Sequence, residues 1–173
     1  GLATVFTVTQ RMGAHIHIDS EVDRGTCVTV CFPKNDGQEV FREIEPTATL
    51  RGTVLLVEDD PMVCSTLERF LASFGLEVFA TTNPNEAVEI CNQAPRIDLV
   101  VSDVMMPKML GPVLVEKLRL KRPDVPVLYI SAHGRRDLID RGILKQGEAL
   151  LTKPFESRDL HSRLVKLMPS SLD

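Results

Sequence analysis

Apolar residues fall in four short runs from residue 54 onward: Val54-Leu55-Leu56-Val57, Leu99-Val100-Val101, Val127-Leu128-Tyr129-Ile130 and Ala149-Leu150-Leu151. Each run is nearly continuous rather than alternating, the pattern of strands buried on both faces. The segments between them carry a helical period. Asp60 before Pro61 predicts a capped helix start with proline at its first position. Val63, Leu67, Phe70, Leu71 and Phe74 then share one helical face, and Gly75 supplies the stop. Residues 76–80 read as a short strand. Asn83-Pro84 opens a second helix with Ala87, Val88 and Cys91 inward, and residues 97–102 form the next strand. Pro112 opens a third helix through Leu120, ended before Pro123. A strand over 126–130, a charged helix over 135–144 and a strand over 149–152 follow. A last helix over 157–168 has Leu160, Leu164 and Leu167 on one face.

Five strands alternating with five helices imply an α/β domain, a parallel sheet covered on both faces. Right-handed crossovers leave few topologies, and the flavodoxin-like doubly wound one fits the count.

The first 33 residues differ. Ile16 and Ile18 alternate with His15, His17 and Asp19, while Val28, Val30 and Phe32 alternate with Cys27, Thr29 and Cys31. With Gly25 in the turn region, this period of two predicts a β-hairpin. Leu2, Val5, Phe6 and Met12 roughly follow a helical stripe, although Thr and Val are weak helix formers. The piece is too short to bury a core alone. Residues 34–52 read as a linker, with Leu50 the only large apolar residue of its small, polar second half. The expected division is therefore 1–33, a linker over 34–52, the α/β domain over 53–169 and a tail over 170–173.

The chain has 173 residues, 43% hydrophobic and 25% charged, which suits one globular domain with something appended. A net charge of -4 argues against nucleic acid as a partner. No apolar stretch approaches a membrane span, so no direct membrane contact is expected. The start carries neither a signal-peptide pattern nor an initiator Met, so the chain is expected to be cut from a longer protein. Cys27, Cys31, Cys64 and Cys91 form no Cys-x-x-Cys pair, and the histidines lack helical metal-ligand spacing. A reducing, cytoplasmic compartment follows, with Cys27 and Cys31 packed on one strand face.

The chemistry sits where the runs end. Glu58 and Asp59 close the first strand, Asp103 the central one, Ser131 the next and Lys153 the last. Ligands in open α/β sheets bind beyond the carboxyl ends of the strands, so a parallel sheet gathers these groups. Three carboxylates close together repel, and a divalent cation removes that cost. Hard oxygen ligands favour Mg²⁺. Asp103 can act as a nucleophile and form an acyl phosphate. Its own charge and that of an incoming phosphoryl group need neutralising, by the cation and by Lys153. Ser131 can then donate a hydrogen bond to the new phosphoryl oxygens and move its loop. Each residue alone is ordinary, since an Asp after a strand is commonly a turn or cap residue. Their joint occurrence, one group or pair per strand end, is not.

Residues 53–168 resemble the receiver domain of two-component signalling proteins. The matching segments are residues 54–60, Asp98-Leu99-Val100-Val101-Ser102-Asp103 with Met106-Pro107 and Gly111, Ile130-Ser131-Ala132, and Leu151-Thr152-Lys153-Pro154-Phe155. The resemblance implies the strand order 2-1-3-4-5, with Asp103 as phosphoacceptor and Glu58 and Asp59 as the acidic pair for Mg²⁺. It also implies the Met105 backbone carbonyl as a metal ligand, Ser131 as switch hydroxyl, Lys153 as phosphate-binding lysine and a cis Lys153-Pro154 bond. Two positions depart from the family. Leu150 stands where Tyr or Phe is frequent, which puts a rotating aromatic in doubt, and Leu110 stands where Asp is frequent. Gly111-Pro112 looks like receivers fused to histidine kinases. Gly1-Leu2-Ala3-Thr4-Val5, Gly13-Ala14-His15-Ile16, Ser20, Gly25-Thr26 and Phe32-Pro33 resemble the end of a histidine-kinase ATPase domain.

Together these imply a piece of a hybrid sensor histidine kinase whose receiver accepts a phosphoryl group from phosphohistidine. The donor is the kinase core in cis or a histidine phosphotransfer protein, and a homodimer is left open. The chain as cut is expected to be no enzyme beyond its own phosphotransfer and dephosphorylation. The alternatives are a non-phosphorylated pseudo-receiver or an Asp-nucleophile phosphohydrolase. Met105, where the hydrolase would need a second Asp, counts against the latter.

Overall fold

A computed structural model of the chain describes Val5, Thr9 and residues 13–21, 24–33 and 49–168. The chain divides into two compact units, Gly1–Ile44 and Glu45–Asp173.

In the first unit, β1 (His15–Glu21) pairs antiparallel with β2 (Gly25–Cys31). Ile16 lies opposite Val30 and Ile18 opposite Val28, so one face is apolar. Ile18 and Val28 are nevertheless 45% and 48% exposed. The other face pairs His15 with Cys31 and Asp19 with Cys27, and both cysteines are exposed. Packing of Cys27 and Cys31 is thus corrected: among the described residues no second layer covers this face of the hairpin. Val5 and Thr9 have helical backbone, with the Thr9 hydroxyl donating to the Val5 carbonyl four residues back. The proposed stripe residues Leu2, Phe6 and Met12, most of the linker (34–48) and the tail (170–173) lie outside the described residues.

The second unit is a five-stranded parallel sheet. Its strands are β3 (Thr53–Val57), β4 (Glu77–Thr81), β5 (Leu99–Asp103), β6 (Val127–Ser131) and β7 (Ala149–Thr152), in the order β4-β3-β5-β6-β7. Counted within the unit, this is the expected 2-1-3-4-5. The helices are α1 (Pro61–Ser73), α2 (Pro84–Gln93), α3 (Gly111–Arg119), α4 (Arg135–Asp140) and α5 (Ser157–Leu167). Alternate side chains of each strand feed two cores. Val54, Leu56, Val101 and Ile130 pack with Leu67 and Leu71 of α1 and Leu160 and Leu164 of α5. Leu55, Val57, Val100 and Tyr129 pack with Ala87, Leu114, Leu118 and Leu138 of α2, α3 and α4.

Local signals set several boundaries. The Asp60 carboxylate accepts the N–H groups of Met62 and Val63, capping α1 with Pro61 at its start. Two expectations fail. The charged helix over 135–144 stops at Asp140, because Gly142 takes a left-handed φ of 67° and the N–H groups of Ile143 and Leu144 turn back to the Leu138 carbonyl. Leu50, assigned to the linker, is wholly buried among the α1-side core residues, and its N–H donates to the Phe74 carbonyl at 2.8 Å. The packed unit therefore begins before Thr53. Gly75 permits this approach, since a Cβ there would meet the Leu50 carbonyl oxygen at 2.7 Å.

Leu71→Ala, which hollows a fully buried site, will cost about 2–5 kcal/mol in urea unfolding. Asp60→Ala, which removes only a cap, will cost about 1 kcal/mol in the same measurement.

Candidate functional site

Parallel pairing brings the carboxyl ends of β3, β5, β6 and β7 to one edge. Val57 is in register with Ser102, Asp103 with Ile130, and Ser131 with Thr152. The residues that follow these ends are therefore neighbours although far apart in sequence. Glu58, Asp59 and Asp103 each place a carboxylate oxygen within 4.8 Å of the others. Lys153 closes the group: its Nζ lies 2.7 Å from Glu58 Oε2 and 2.8 Å from Asp103 Oδ2. The second Asp103 oxygen, Oδ1, accepts the Met105 N–H at 2.8 Å. Both oxygens of Asp103 are thus held, and its side chain is 12% exposed.

The electrostatics follow from burial. The Glu58 side chain is 3% exposed. Desolvation pushes its carboxyl above the usual range, and the charges of Asp103 and Asp59 add to this while Lys153 opposes it. Burial alone would make the Lys153 ammonium easier to deprotonate. Its hydrogen bonds to Asp103 and Glu58 outweigh that and hold its pKa above the ordinary lysine value. Three carboxylates against one ammonium leave an excess of negative charge, so the cluster can hold a cation.

Ser131 is fully buried, and its hydroxyl oxygen accepts the His133 N–H at 3.0 Å. Its carbonyl accepts the Lys153 N–H at 2.7 Å, tying the lysine loop to β6. The Lys153-Pro154 bond is cis, as the resemblance implied. Leu150 is buried in the α3-side core. Its register partner on β6 is Tyr129, so the aromatic ring of this region stands one strand over from the position where the family frequently has one.

One residue matters for a reason its motif did not give. Gly111 begins α3, and a Cβ there would lie 2.2 Å from the Asp103 carbonyl oxygen and 3.0 Å from Ser102 Oγ. Its N–H donates to the Val104 carbonyl. Only glycine lets the helix start this close to the Asp103 backbone. Gly111 is visible in the sequence, but nothing local to it signals a contact with a residue eight positions earlier. Gly111→Ala will therefore lower stability by about 1–3 kcal/mol, and amide chemical shifts will move at residues 102–105 rather than around Gly111 alone.

Comparison with known proteins agrees with this geometry. Residues 54–165 match the family model described as the response regulator receiver domain. The chain is 32% identical over 181 residues to the sensor kinase CckA of Brucella abortus (strain 2308), covering 97% of this chain and 19% of that protein. It is 34% identical over 114 residues to the uncharacterized transcriptional regulatory protein YrkP of Bacillus subtilis (strain 168), covering 65% of this chain and 47% of the relative. The chain thus spans less than half the length of either. The crystal structure of the receiver domain from the hybrid histidine kinase CckA superposes with a TM-score of 0.57 at 33% identity, covering 68% of this chain and 99% of that one. Family match, fold and clustered strand-end residues converge: the chain belongs to the response regulator receiver domain family, the phosphoacceptor module of two-component signalling.

Proposed function

We propose that Asp103 is the phosphoacceptor, Lys153 its charge partner and Ser131 the hydroxyl that reads out phosphorylation. The observation that carries this reading is the Lys153 ammonium set between Glu58 and Asp103 at 2.7 and 2.8 Å. An Asp103 oxygen attacks the phosphorus of a phosphohistidine. The P–N bond breaks, and the imidazole leaves with its electron pair and takes up a proton. Negative charge grows on the equatorial oxygens, and Lys153 is placed to meet it. The ammonium would then exchange part of its contact with Asp103 for the phosphoryl group. Ser131, whose hydroxyl proton is not committed by its bond from His133, would donate to the same group.

The acidic cluster suits Mg²⁺: its donors are hard carboxylate oxygens and its charge is in excess. Glu58, Asp59 and Asp103 would hold the ion, with the Met105 carbonyl as a further ligand. When bound, Mg²⁺ supplies the positive charge that lets a carboxylate and a phosphoryl group approach.

Residues 1–33, with their hairpin, fit the end of a histidine-kinase ATPase domain, followed by a linker and the receiver. We infer a hybrid sensor histidine kinase as the parent protein, acting in the cytoplasm. Its kinase core or a histidine phosphotransfer protein would be the donor. The match to a sensor kinase, which covers 97% of this chain and 19% of that protein, supports this reading. No helix among the described residues is long and apolar enough to cross a membrane.

Incubation with acetyl phosphate and Mg²⁺ will add the mass of one phosphoryl group to the chain, labile to hydroxylamine and absent in Asp103→Asn. An equal adduct on Asp103→Asn would overturn the assignment. Lys153→Ala will slow adduct formation by about a hundredfold. The raised Glu58 pKa gives a second test. Acidification protonates this ligand before an ordinary glutamate, so the rise in thermal midpoint produced by Mg²⁺ will shrink as pH falls from neutrality toward ~5. Without metal the folded state holds the Glu58 proton more tightly than the unfolded chain. Its contribution to stability is therefore largest below the ordinary glutamate pKa and is lost as pH rises through the raised value.

A further inference from the structure

A cleft on the α3 side of the sheet takes no part in the chemistry above. It has a volume of about 340 Å³ and runs between α3 and the loop after α4. Its walls include Pro112, Val113 and Arg119 from the α3 segment and Ile143 and Lys145 from the loop, with Tyr129 of β6 also lining it. A second hollow of about 520 Å³ shares Arg119, Tyr129, Lys145 and Glu148 with it. Both volumes lie in the range of small-molecule sites.

Three features point to one kind of ligand. Tyr129 is 1% exposed, yet its hydroxyl meets no hydrogen-bond partner among the described residues. The hydroxyl is not sealed in the core but opens on the cleft, where a ligand's acceptor can reach it. Burial, and then the nearby Glu148 charge, push the phenol pKa up, so it remains a donor at any physiological pH. Arg119 and Lys145 are exposed cations lining both hollows, and neither side chain enters an ion pair among the described residues. Two carboxylates line the same cleft, Glu148, which accepts the Lys145 backbone N–H at 2.8 Å, and Glu116, so a ligand's negative charge has to lie toward Arg119 and Lys145 and away from them. Pro112, Val113 and Ile143 supply apolar surface.

We propose that this cleft binds a small organic anion. Its apolar body would rest against Val113 and Ile143, an acceptor oxygen would take the Tyr129 proton, and its charge would lie by Arg119 and Lys145. The site leads back to the phosphoacceptor by two routes. Tyr129 lies two positions before Ser131 on the same strand, and α3 starts at Gly111, pressed on the Asp103 backbone. The assignment itself rests on the cleft and not on the role of Asp103.

The sequence provides a clean reporter, because Tyr129 is the sole tyrosine and tryptophan is absent. Phenylphosphonate is titrated into the full chain without Mg²⁺ while the ring resonances of labelled tyrosine are followed by NMR. Benzyl alcohol serves as the neutral control. A saturating shift with phenylphosphonate, no saturation with benzyl alcohol, and affinity weakened about tenfold in Arg119→Gln are expected. Absence of a saturating shift overturns the proposal. So does an equal response to benzyl alcohol, or unchanged affinity in Arg119→Gln.

Discussion

Mutual repulsion of three carboxylates at one sheet edge is the constraint around which the receiver unit is arranged. Glu58, Asp59 and Asp103 would not gather without compensation. Lys153 supplies part of it at hydrogen-bonding distance from two of them, and the residual charge is what suits the cluster to a divalent cation. The loops follow from this requirement. The Met105 N–H fixes one Asp103 oxygen, and the lysine loop is tied to β6 through the Ser131 carbonyl. Under the proposed role, a site that must accept a further anion is thereby held ready for it.

The sheet makes the gathering affordable. Its strands are apolar on both faces and sit between two cores, one on the α1 and α5 side and one on the α2, α3 and α4 side. Burial of this extent is worth about 1.5–3 kcal/mol for each large side chain. Most of the buried polar groups of this unit sit at or beside strand ends; His161 of α5, edge-on to Phe74, is an exception.

Much of this was legible in the sequence because the signals are local or periodic. Apolar runs gave the strands. Asp60-Pro61 and Asn83-Pro84 gave helix starts, and both Asp60 and Asn83 do cap. The site candidates could be grouped because a parallel sheet places its carboxyl ends together. The rest depends on tertiary contact. Leu50 looked like a stray in a polar linker, but its burial depends on Phe74 and Gly75, which lie across a helix. The charged 135–144 pattern hid the left-handed turn at Gly142. Cys27 and Cys31 read as packed because free cysteine usually is, whereas among the described residues nothing covers their face of the hairpin. The position of Tyr129 beside Leu150 required the register of β6 on β7.

The contact between Gly111 and the Asp103 carbonyl also restricts how this domain can change over time. A side-chain contact can be retuned by substitution, one partner at a time. Here a backbone atom meets the absence of a side chain, and that geometry offers no intermediate. Any side chain at position 111 must move either the Asp103 loop or the start of α3, so this junction admits less change than the surfaces around it, and the two segments act as one rigid joint.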